Sequence, residues 1–300
     1  MSLLLPSQQA QRLWPLALLL GISLYSLFFW LIDPALSPIP ADYKQVEKTI
    51  RSEFKDGDAI ATRPWWAARA REYVGDLSFV QVRDLAAEDL SLYSRLWVIS
   101  LPGHHNDLSG PFLDETYQLE KEQQHGSLVL KSYRLPDRAE VLYDFRKELK
   151  SAQVLMRSKN SAKQCARWID NRWVCSRHDW NYVGRMIVEL GDDPREVIWA
   201  HPADDPIEII YRQVPGGKTL LVHTGFTPPA ARTPDGADVT LQVLLNGREI
   251  GKIVQQNQSG YFARRFDLSS YGPGPHEVTF VVKAKNGGMR HFCFDGQVRG

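Results

Sequence analysis

Hydrophobic residues dominate one stretch near the start of the chain. Residues 13–32 (LWPLALLLGISLYSLFFWLI) contain no charged side chain. A helix of this length, at about 1.5 Å per residue, spans roughly 30 Å, the hydrocarbon thickness of a bilayer. Trp14 and Trp30 lie near the two ends, where indole rings favour the membrane interface. The pattern predicts a transmembrane anchor over 13–32, followed by a proline-containing linker over 33–43.

A cleaved signal peptide is the alternative interpretation of this stretch. Its apolar region would be shorter, about 7–15 residues, and would end at a small-x-small site. The nearest such site, residues 35–37 (ALS), is followed by Pro38, which disfavours cleavage. Arg12 precedes the helix whereas Asp33 and Asp42 follow it, so the positive-inside rule favours a cytoplasmic N-terminus. We therefore expect an uncleaved single-pass anchor with the bulk of the chain on the external, periplasmic side.

Between residues 44 and 135, helical periodicity alternates with short apolar segments. Strands are predicted over 59–62, 78–82, 95–101 and 127–134, and helices over 46–54, 64–74, 84–93 and 112–124. This alternation predicts a small α/β sandwich with a mainly parallel sheet. The polar loop 102–107 follows one strand, but its adjacent histidines do not have the spacing of a metal site.

The rest of the chain changes from a charged stretch to repeated short strands. A helix or linker is predicted over residues 136–161, because charged residues are frequent there. Residues 162–300 contain about ten short alternating segments and no helical period, which predicts a jelly-roll-like β-sandwich. Asn246-Gly247 between two such segments is typical of a two-residue hairpin turn. The strands are predicted over 172–175, 183–190, 196–200, 207–214, 219–226, 238–245, 248–255, 261–268, 276–284 and 290–298.

The charge balance and the cysteines indicate which classes of partner and which cellular compartments suit this chain. Lys and Arg number 36 against 35 Asp and Glu, so no net field favours nucleic acid as a partner. Cys165 and Cys175 flank a short segment that a disulfide could close as a hairpin, which an oxidising compartment permits. The alternative is three free buried cysteines, with Cys293 as the third.

Aromatic residues concentrate at the start of the predicted sandwich. Sugar sites present an aromatic ring to the C–H face of a sugar and polar side chains to its hydroxyls. Because tryptophan is usually largely buried, core packing is the alternative for each aromatic candidate. His201 and Asp204 are further polar candidates, although His201 fits a satisfied loop histidine better than a ligand. The sugar-binding candidates are Trp168, Arg172, Trp173, His178, Asp179, Trp180, Tyr182, Tyr261 and Arg264.

Three segments carry a resemblance over roughly residues 46–135. They are FKDGDAIATRPWWAARAREYV, VRDLAAEDLSLYSRLWVISL and FLDETYQLEKEQQHGSLVLKSYRL. Together they resemble the soluble tail that follows the membrane bundle in polytopic glycosyltransferases that use lipid-linked sugars. That family carries its catalytic acid on an external loop within a many-helix bundle. With one predicted membrane helix here, the resemblance implies the accessory module without the transferase active site.

A second resemblance covers about residues 168–299. Its features are the hairpin VTLQVLLNGREIG, the segment GYFARRFDLSSYGPGPHEVTFVVKA and the closing strand RHFCFDGQV. These are similar to galactose-binding-like and related carbohydrate-binding sandwiches. The resemblance implies a sandwich fold that is used for sugar recognition, although a fold alone does not specify a ligand.

Three functions are compatible with these patterns. The first is a non-catalytic, membrane-anchored envelope protein that binds a glycan or a glycan-handling membrane partner. The second is a glycosyltransferase-related enzyme or accessory subunit acting on lipid-linked sugars, and the third is protein docking alone. The sequence has no nucleophile elbow, zincin helix or Walker lysine, which favours the first. Paired carboxylates leave catalysis open, and no metal or other cofactor is expected.

Overall fold

The chain forms two compact units. The computed structural model describes residues 8–80, 87–104, 117–136, 138–158, 160–176, 178, 180–191, 193–202 and 205–300. The first unit comprises residues 1–80 and 95–135, and the second comprises 81–94 and 136–300.

The first unit begins with two helices. Helix α1 (Gln8–Leu36) contains a segment, Trp14–Leu31, that is long and apolar enough to cross a membrane, a test that a signal sequence also passes. Helix α2 (Pro40–Glu53) begins with a proline in its first turn, where a missing N–H is tolerated. The carboxylate of Asp42 accepts a hydrogen bond from the backbone N–H of Ile39 at 3.2 Å, which gives this N–H group at the start of α2 a partner.

A four-stranded sheet packs against α2. Its strands lie in the order β1-β2-β4-β3. Val46 and Ile50 of α2 are buried against Trp97 and Leu130 of the sheet. The bounds are β1 (Asp58–Arg63), β2 (Arg95–Ser100), β3 (Gln118–His125) and β4 (Leu128–Arg134), with a short helix α3 (Arg71–Val74) after β1.

The sheet is mixed, which corrects the prediction of a mainly parallel sheet. Strands β1 and β2 are parallel, whereas β4 is antiparallel to both β2 and β3. Residues 118–124, predicted as the end of a helix, form β3, because Gly126 at φ 59° allows a tight hairpin turn into β4. The helix prediction followed the high helix propensity of Glu, Lys and Gln, which the hydrogen bonds to β4 override.

Two other predicted elements of this region are shorter than expected. The helix predicted over 64–74 reduces to a 3-10 turn at 68–70 followed by α3. The strand predicted over 78–82 is represented by one bridge between Phe79 and Ile60, and residues 81–82 lie outside the described residues.

The second unit is a β-sandwich, as predicted. One sheet has eight strands in the order β16-β13-β18-β11-β10-β9-β8, with β5 also paired to β18, and the other has the order β15-β14-β17-β12-β6-β7. Two short helices are α4 (Ala87–Leu90) and α5 (Pro228–Ala231). The strands are β5 (Val141–Asp144), β6 (Gln153–Arg157), β7 (Ala162–Gln164), β8 (Arg167–Ile169), β9 (Arg172–Val174), β10 (Tyr182–Leu190), β11 (Asp193–Ala200), β12 (Ile207–Val214), β13 (Thr219–Phe226), β14 (Val239–Leu245), β15 (Arg248–Gln255), β16 (Tyr261–Asp267), β17 (His276–Ala284) and β18 (Phe292–Arg299).

The sandwich core follows from strict alternation along its strands. In β14 every second residue from Val239 to Leu245 is fully buried, and these residues pack with Phe280 of β17 and Phe294 of β18. Asn246 and Gly247 both have positive φ, which a two-residue hairpin turn between β14 and β15 requires.

Residues 136–161 belong to the sandwich, which corrects the predicted helix or linker. Strand β5 pairs with β18, and β6 pairs with β12 and β7. Phe145, between them, is fully buried in the sandwich core. The charged residues of this stretch have high helix propensity, but burial of its apolar residues requires partners that lie far along the chain.

Residues 87–94 were predicted to belong to the α/β domain over 44–135. The structure groups them with the sandwich unit, where Ser91 accepts hydrogen bonds at its carbonyl from Ala139 N (2.8 Å) and at its hydroxyl from Arg299 Nη1 (2.6 Å). Asp89 forms an ion pair with Arg195 at 2.6 Å. These polar contacts could not be read from a local pattern.

Candidate functional site

A disulfide cross-links the two ends of the hairpin that carries the candidates Trp168 and Trp173. Cys165 and Cys175 are joined by a disulfide across strands β8 and β9. Trp168 and Trp173 lie opposite each other in this hairpin, with ring centroids 5.3 Å apart. Both pack against the sandwich core, and Trp173 Nε1 donates to the carbonyl of Leu149 at 2.9 Å. For these two residues, the structure matches the core-packing alternative.

Arg172 and Tyr182 lie on the opposite face of the eight-stranded sheet. The guanidinium of Arg172 lies 4.8 Å from the Tyr182 ring centroid, and Tyr182 stacks on Trp199 at 5.8 Å. Gly184 pairs with both Arg172 and Trp199. A Cβ atom at Gly184 would lie 2.7 Å from the Cβ of Arg172, so a glycine is needed for this close packing. Burial raises the pKa of the Tyr182 hydroxyl.

His178 and Trp180 lie in the loop between β9 and β10. Their rings stack with centroids 5.4 Å apart and an interplanar angle of 14°. Trp180 is 42% exposed, and its other neighbour is His201, at 4.8 Å. Asp179 and Asp204 lie outside the described residues. This loop therefore presents an accessible indole ring between two histidines.

An open cleft of about 360 Å³ begins at Trp180. It is lined further by His201 and Pro202, which follow β11, and by residues 286–289 and His291, which precede β18. The aromatic contacts continue from His201 to His291 (5.6 Å) and from His291 to Trp199 (5.0 Å). The volume is at the lower end of the range of small-molecule sites.

The cleft has few polar side chains, and hydrogen bonds to neighbouring residues orient them. His201 Nδ1 lies 2.8 Å from the carbonyl oxygen of Pro202, which only accepts, so Nδ1 carries the proton and Nε2 is an acceptor. His291 Nδ1 lies 3.1 Å from Thr227 Oγ1. Asn286 Oδ1 accepts from Gly288 N at 3.0 Å, which leaves the amide N–H groups of Asn286 as donors.

Both cleft histidines favour the neutral form. Burial lowers the pKa of His201, and the charges of His291 and Arg290 act in the same direction. Burial also lowers the pKa of His291, again with a contribution from Arg290. At neutral pH the cleft therefore contains two uncharged imidazoles.

Acidification is expected to destabilise this end of the sandwich. The folded-state pKa values of His201 and His291 lie below the ordinary 6.5, so the unfolded chain takes up protons first as the pH falls. The contribution of these two histidines to stability is therefore constant above about pH 6.5 and decreases below it. Urea midpoints between pH 7.5 and 5 measure this. A His201→Gln/His291→Gln variant should show a weaker pH dependence in that window, and an equal dependence would contradict the assignment.

The remaining two candidates lie away from the cleft. Tyr261 pairs with Gly225 on the face that carries Trp199, and its ring stacks on His223 at 4.8 Å. Burial raises the pKa of the Tyr261 hydroxyl well above its ordinary value. Arg264 pairs with Val222, a core residue, so it lies on the opposite face, where it is exposed on strand β16.

A buried charge network surrounds Asp295 on strand β18. Asp295 Oδ1 lies 2.8 Å from His223 Nδ1, and Asp295 Oδ2 lies 3.6 Å from Arg146 Nη1. Arg146 also binds both carboxylate oxygens of Asp144, at 3.1 and 2.7 Å. Burial by itself would raise the pKa of both carboxyl groups. The pKa of Asp295 is nevertheless lowered, chiefly by His223, and the pKa of Asp144 is lowered by Arg146.

Sequence reasoning missed five cleft residues. Residues 286–288, between two predicted strands, and Met289 carried no binding signal, and His291 was assigned to the strand predicted over 290–298. Among the described residues, no group of three or more His, Cys, Asp or Glu side chains is placed to hold a metal ion.

No protein-family model and no curated protein matches this chain. The CBM51 of Clostridium perfringens GH95, in complex with methyl-galactose, matches at 14% identity over 39% of this chain and 81% of that chain, with a TM-score of 0.29. CBM27-1 of Caldicellulosiruptor saccharolyticus, in complex with mannohexaose, matches at 13% identity over 54% and 95%, with a TM-score of 0.34.

A third solved structure contains the CBM51-2 and INT domains of Clostridium perfringens ZmpB. It matches at 10% identity over 62% of this chain, with a TM-score of 0.32, and this chain spans only 41% of its length. At these identities and TM-scores, the likenesses carry no argument about what this chain binds. The resemblance of residues 46–135 to glycosyltransferase tails stays a prediction.

Proposed function

We propose that this chain is a glycan-binding protein whose site is the cleft beside Trp180. The observation that carries the proposal is an exposed indole ring at the rim of a cleft lined by two neutral histidines. Sugar rings bind to such surfaces because their C–H faces pack on aromatic rings while nearby polar groups pair with their hydroxyls. His201 Nε2 and the Asn286 amide supply an acceptor and donors for that purpose.

Binding without catalysis fits the chemistry of the cleft. Its described lining residues include no carboxylate, hydroxyl or thiol. A glycosidase needs two carboxylates across the scissile bond, and a nucleophilic mechanism needs an activated nucleophile beside a base. We therefore favour a binding protein over a glycosyltransferase-related enzyme or accessory subunit.

We further propose that helix α1 anchors this binding unit to a membrane, with the sandwich on the external side. The apolar segment of α1 has exposed side chains along its length, which a lipid environment would cover. The disulfide between Cys165 and Cys175 favours an oxidising compartment such as the periplasm.

Replacing Trp180 by alanine is the test of the proposed site. We expect the affinity for glycans that bind the full-length chain in lipid nanodiscs to fall by about 10–100-fold, because the aromatic surface that packs on the sugar ring is lost. The measurement is a glycan array followed by titration calorimetry on the strongest ligands.

Trp66→Ala is the matched control. Trp66 is also an exposed tryptophan, 60% accessible, but it belongs to the first unit. This variant should bind as tightly as the unaltered chain. Equal affinities for the unaltered and Trp180→Ala proteins, or no binding to any glycan by a folded chain, would contradict the proposed function.

A further inference from the structure

The cleft beside Trp180 offers few hydrogen-bonding partners for its size. Of its eight lining residues, four carry no side-chain nitrogen or oxygen, namely Pro202, Gly287, Gly288 and Met289. A buried hydroxyl that finds no partner costs free energy, since it loses its hydrogen bonds to water. A fully hydroxylated sugar would therefore leave hydroxyls unpaired against this surface.

The described lining also contains no charged side chain. His201 and His291 are neutral at pH 7, and Asn286 is an amide. Arg290, which lies between Met289 and His291 in the chain, is fully buried, with Nη1 donating to Asn257 Oδ1 and Nη2 donating to the carbonyl of Ala230, both at 2.7 Å. An acidic sugar would thus lose the hydration of its carboxylate without gaining a direct ion pair.

Met289 is held in an unusual conformation at the edge of this cleft. Its φ is +55°, a region that residues other than glycine seldom adopt, yet its side chain is 50% exposed and lines the cleft. The backbone N–H of the next residue, Arg290, donates to the carbonyl of Gly287 at 3.2 Å, and its guanidinium is anchored by the hydrogen bonds named above. A constrained residue that presents an exposed thioether to a pocket is an observation from which a functional role can be inferred.

Taking the proposed glycan function as its basis, we propose that the cleft selects neutral sugars that carry an acetamido group. Trp180 packs against the sugar ring, and Met289 with Pro202 contacts the methyl group of the acetamido substituent. His201 Nε2 and the amide of Asn286 match the single donor and single acceptor of that substituent. The apolar and polar parts of the cleft thereby both find partners.

The test compares matched sugars on the full-length chain in nanodiscs. The ligands are the methyl glycosides of glucose, N-acetylglucosamine and glucuronic acid, and of galactose and N-acetylgalactosamine, measured by titration calorimetry or ligand-observed NMR. We expect the acetamido member of a pair to bind about 10-fold or more tightly than its hydroxyl analogue, and the uronide to bind least.

Met289→Gly is the informative variant, because glycine adopts positive φ without strain and the fold is retained. The preference for the acetamido sugar should fall to about 3-fold or less, because the methyl group loses its contact with the thioether. Gln213→Gly, at another positive-φ position on β12, is the matched control and should keep the full preference.

Three outcomes would overturn this inference. They are equal affinity for both members of each pair, tighter binding of the uronide, and an unchanged preference in Met289→Gly. In each of these cases sugars still bind, so the proposed function stands. Absence of binding by every sugar tested would instead contradict the proposed function itself.

Discussion

Replacing Arg146 by methionine is expected to lower the free energy of unfolding by about 3–5 kcal/mol, because two buried carboxylates lose their cation. Arg146 pairs with Asp144 through two hydrogen bonds and lies 3.6 Å from Asp295. Both carboxyl groups are less than a tenth exposed. Methionine preserves much of the side-chain volume, so the loss reports on charge rather than on packing. Urea denaturation at pH 7 provides the measurement.

The pH dependence of this loss has a definite sign. The pKa values of Asp144 and Asp295 are lowered from the ordinary 3.8, so their contribution is present above that value and is lost as the pH falls below it. The difference between the unaltered chain and Arg146→Met should accordingly shrink as the carboxyl groups become protonated. A difference that does not change with pH would contradict an electrostatic origin.

Arg157→Met is the matched control for Arg146→Met. Arg157 also binds a carboxylate through two hydrogen bonds, with Nε at 2.6 Å and Nη2 at 2.8 Å from the oxygens of Glu208. Its side chain is half exposed, so water screens the pair. The urea midpoint of this variant should match that of the unaltered chain, and a loss as large as that of Arg146→Met would refute the role of burial.

Removal of the disulfide is the second change with a large expected effect. A Cys165→Ser/Cys175→Ser variant should lose about 2–3 kcal/mol of stability, because the unfolded chain regains the entropy of a loop of about ten residues. The change also concerns the site, since the backbone N–H of Cys175 donates to the carbonyl of Asn181 at 3.2 Å across the base of the loop that carries Trp180. Glycan affinity is therefore expected to fall together with the urea midpoint.

Reductant supplies the control for the disulfide. Dithiothreitol should lower the midpoint of the unaltered chain toward that of the double-serine variant and leave the variant itself unchanged. Cys293 does not complicate the comparison, because burial raises the pKa of its thiol and disfavours the reactive thiolate. An unaltered midpoint after verified reduction would show that the hairpin is held by its other contacts.

The strands of the sandwich were predictable because their determinants are local. Alternating burial in β14 and the Asn246-Gly247 turn are both encoded within a few residues, and the turn conformation is available to these residue types. The predicted bounds of β12, β13, β15 and β17 agree with the structure for the same reason. The apolar segment of α1 was equally evident, since twenty residues without charge suffice to define it.

Two segments with high helix propensity form strands in the structure. Residues 118–124, predicted as helix, and 141–157, predicted as helix or linker, are rich in Glu, Lys, Arg and Gln, which favour helix locally. Strand β5 instead pairs with β18, at the other end of the sandwich sequence. No local window contains both partners, so intrinsic propensity was the only signal available there.

The site shows the same division between local and long-range information. The sequence located an aromatic cluster and identified Trp180 and His178, but Trp168, Trp173 and Trp180 looked alike in it. Only the sheet register distinguishes them, because it turns Trp168 and Trp173 towards the core and leaves Trp180 on an exposed loop. His201 and His291 join Trp180 because the strands that end beside them, β11 and β18, are neighbours in one sheet. The sequence alone thus determined the candidate residue types and the strand periodicity, because both are local properties. Only the tertiary structure decided the cleft, because its loops are brought together by strands that pair although they lie far apart in sequence.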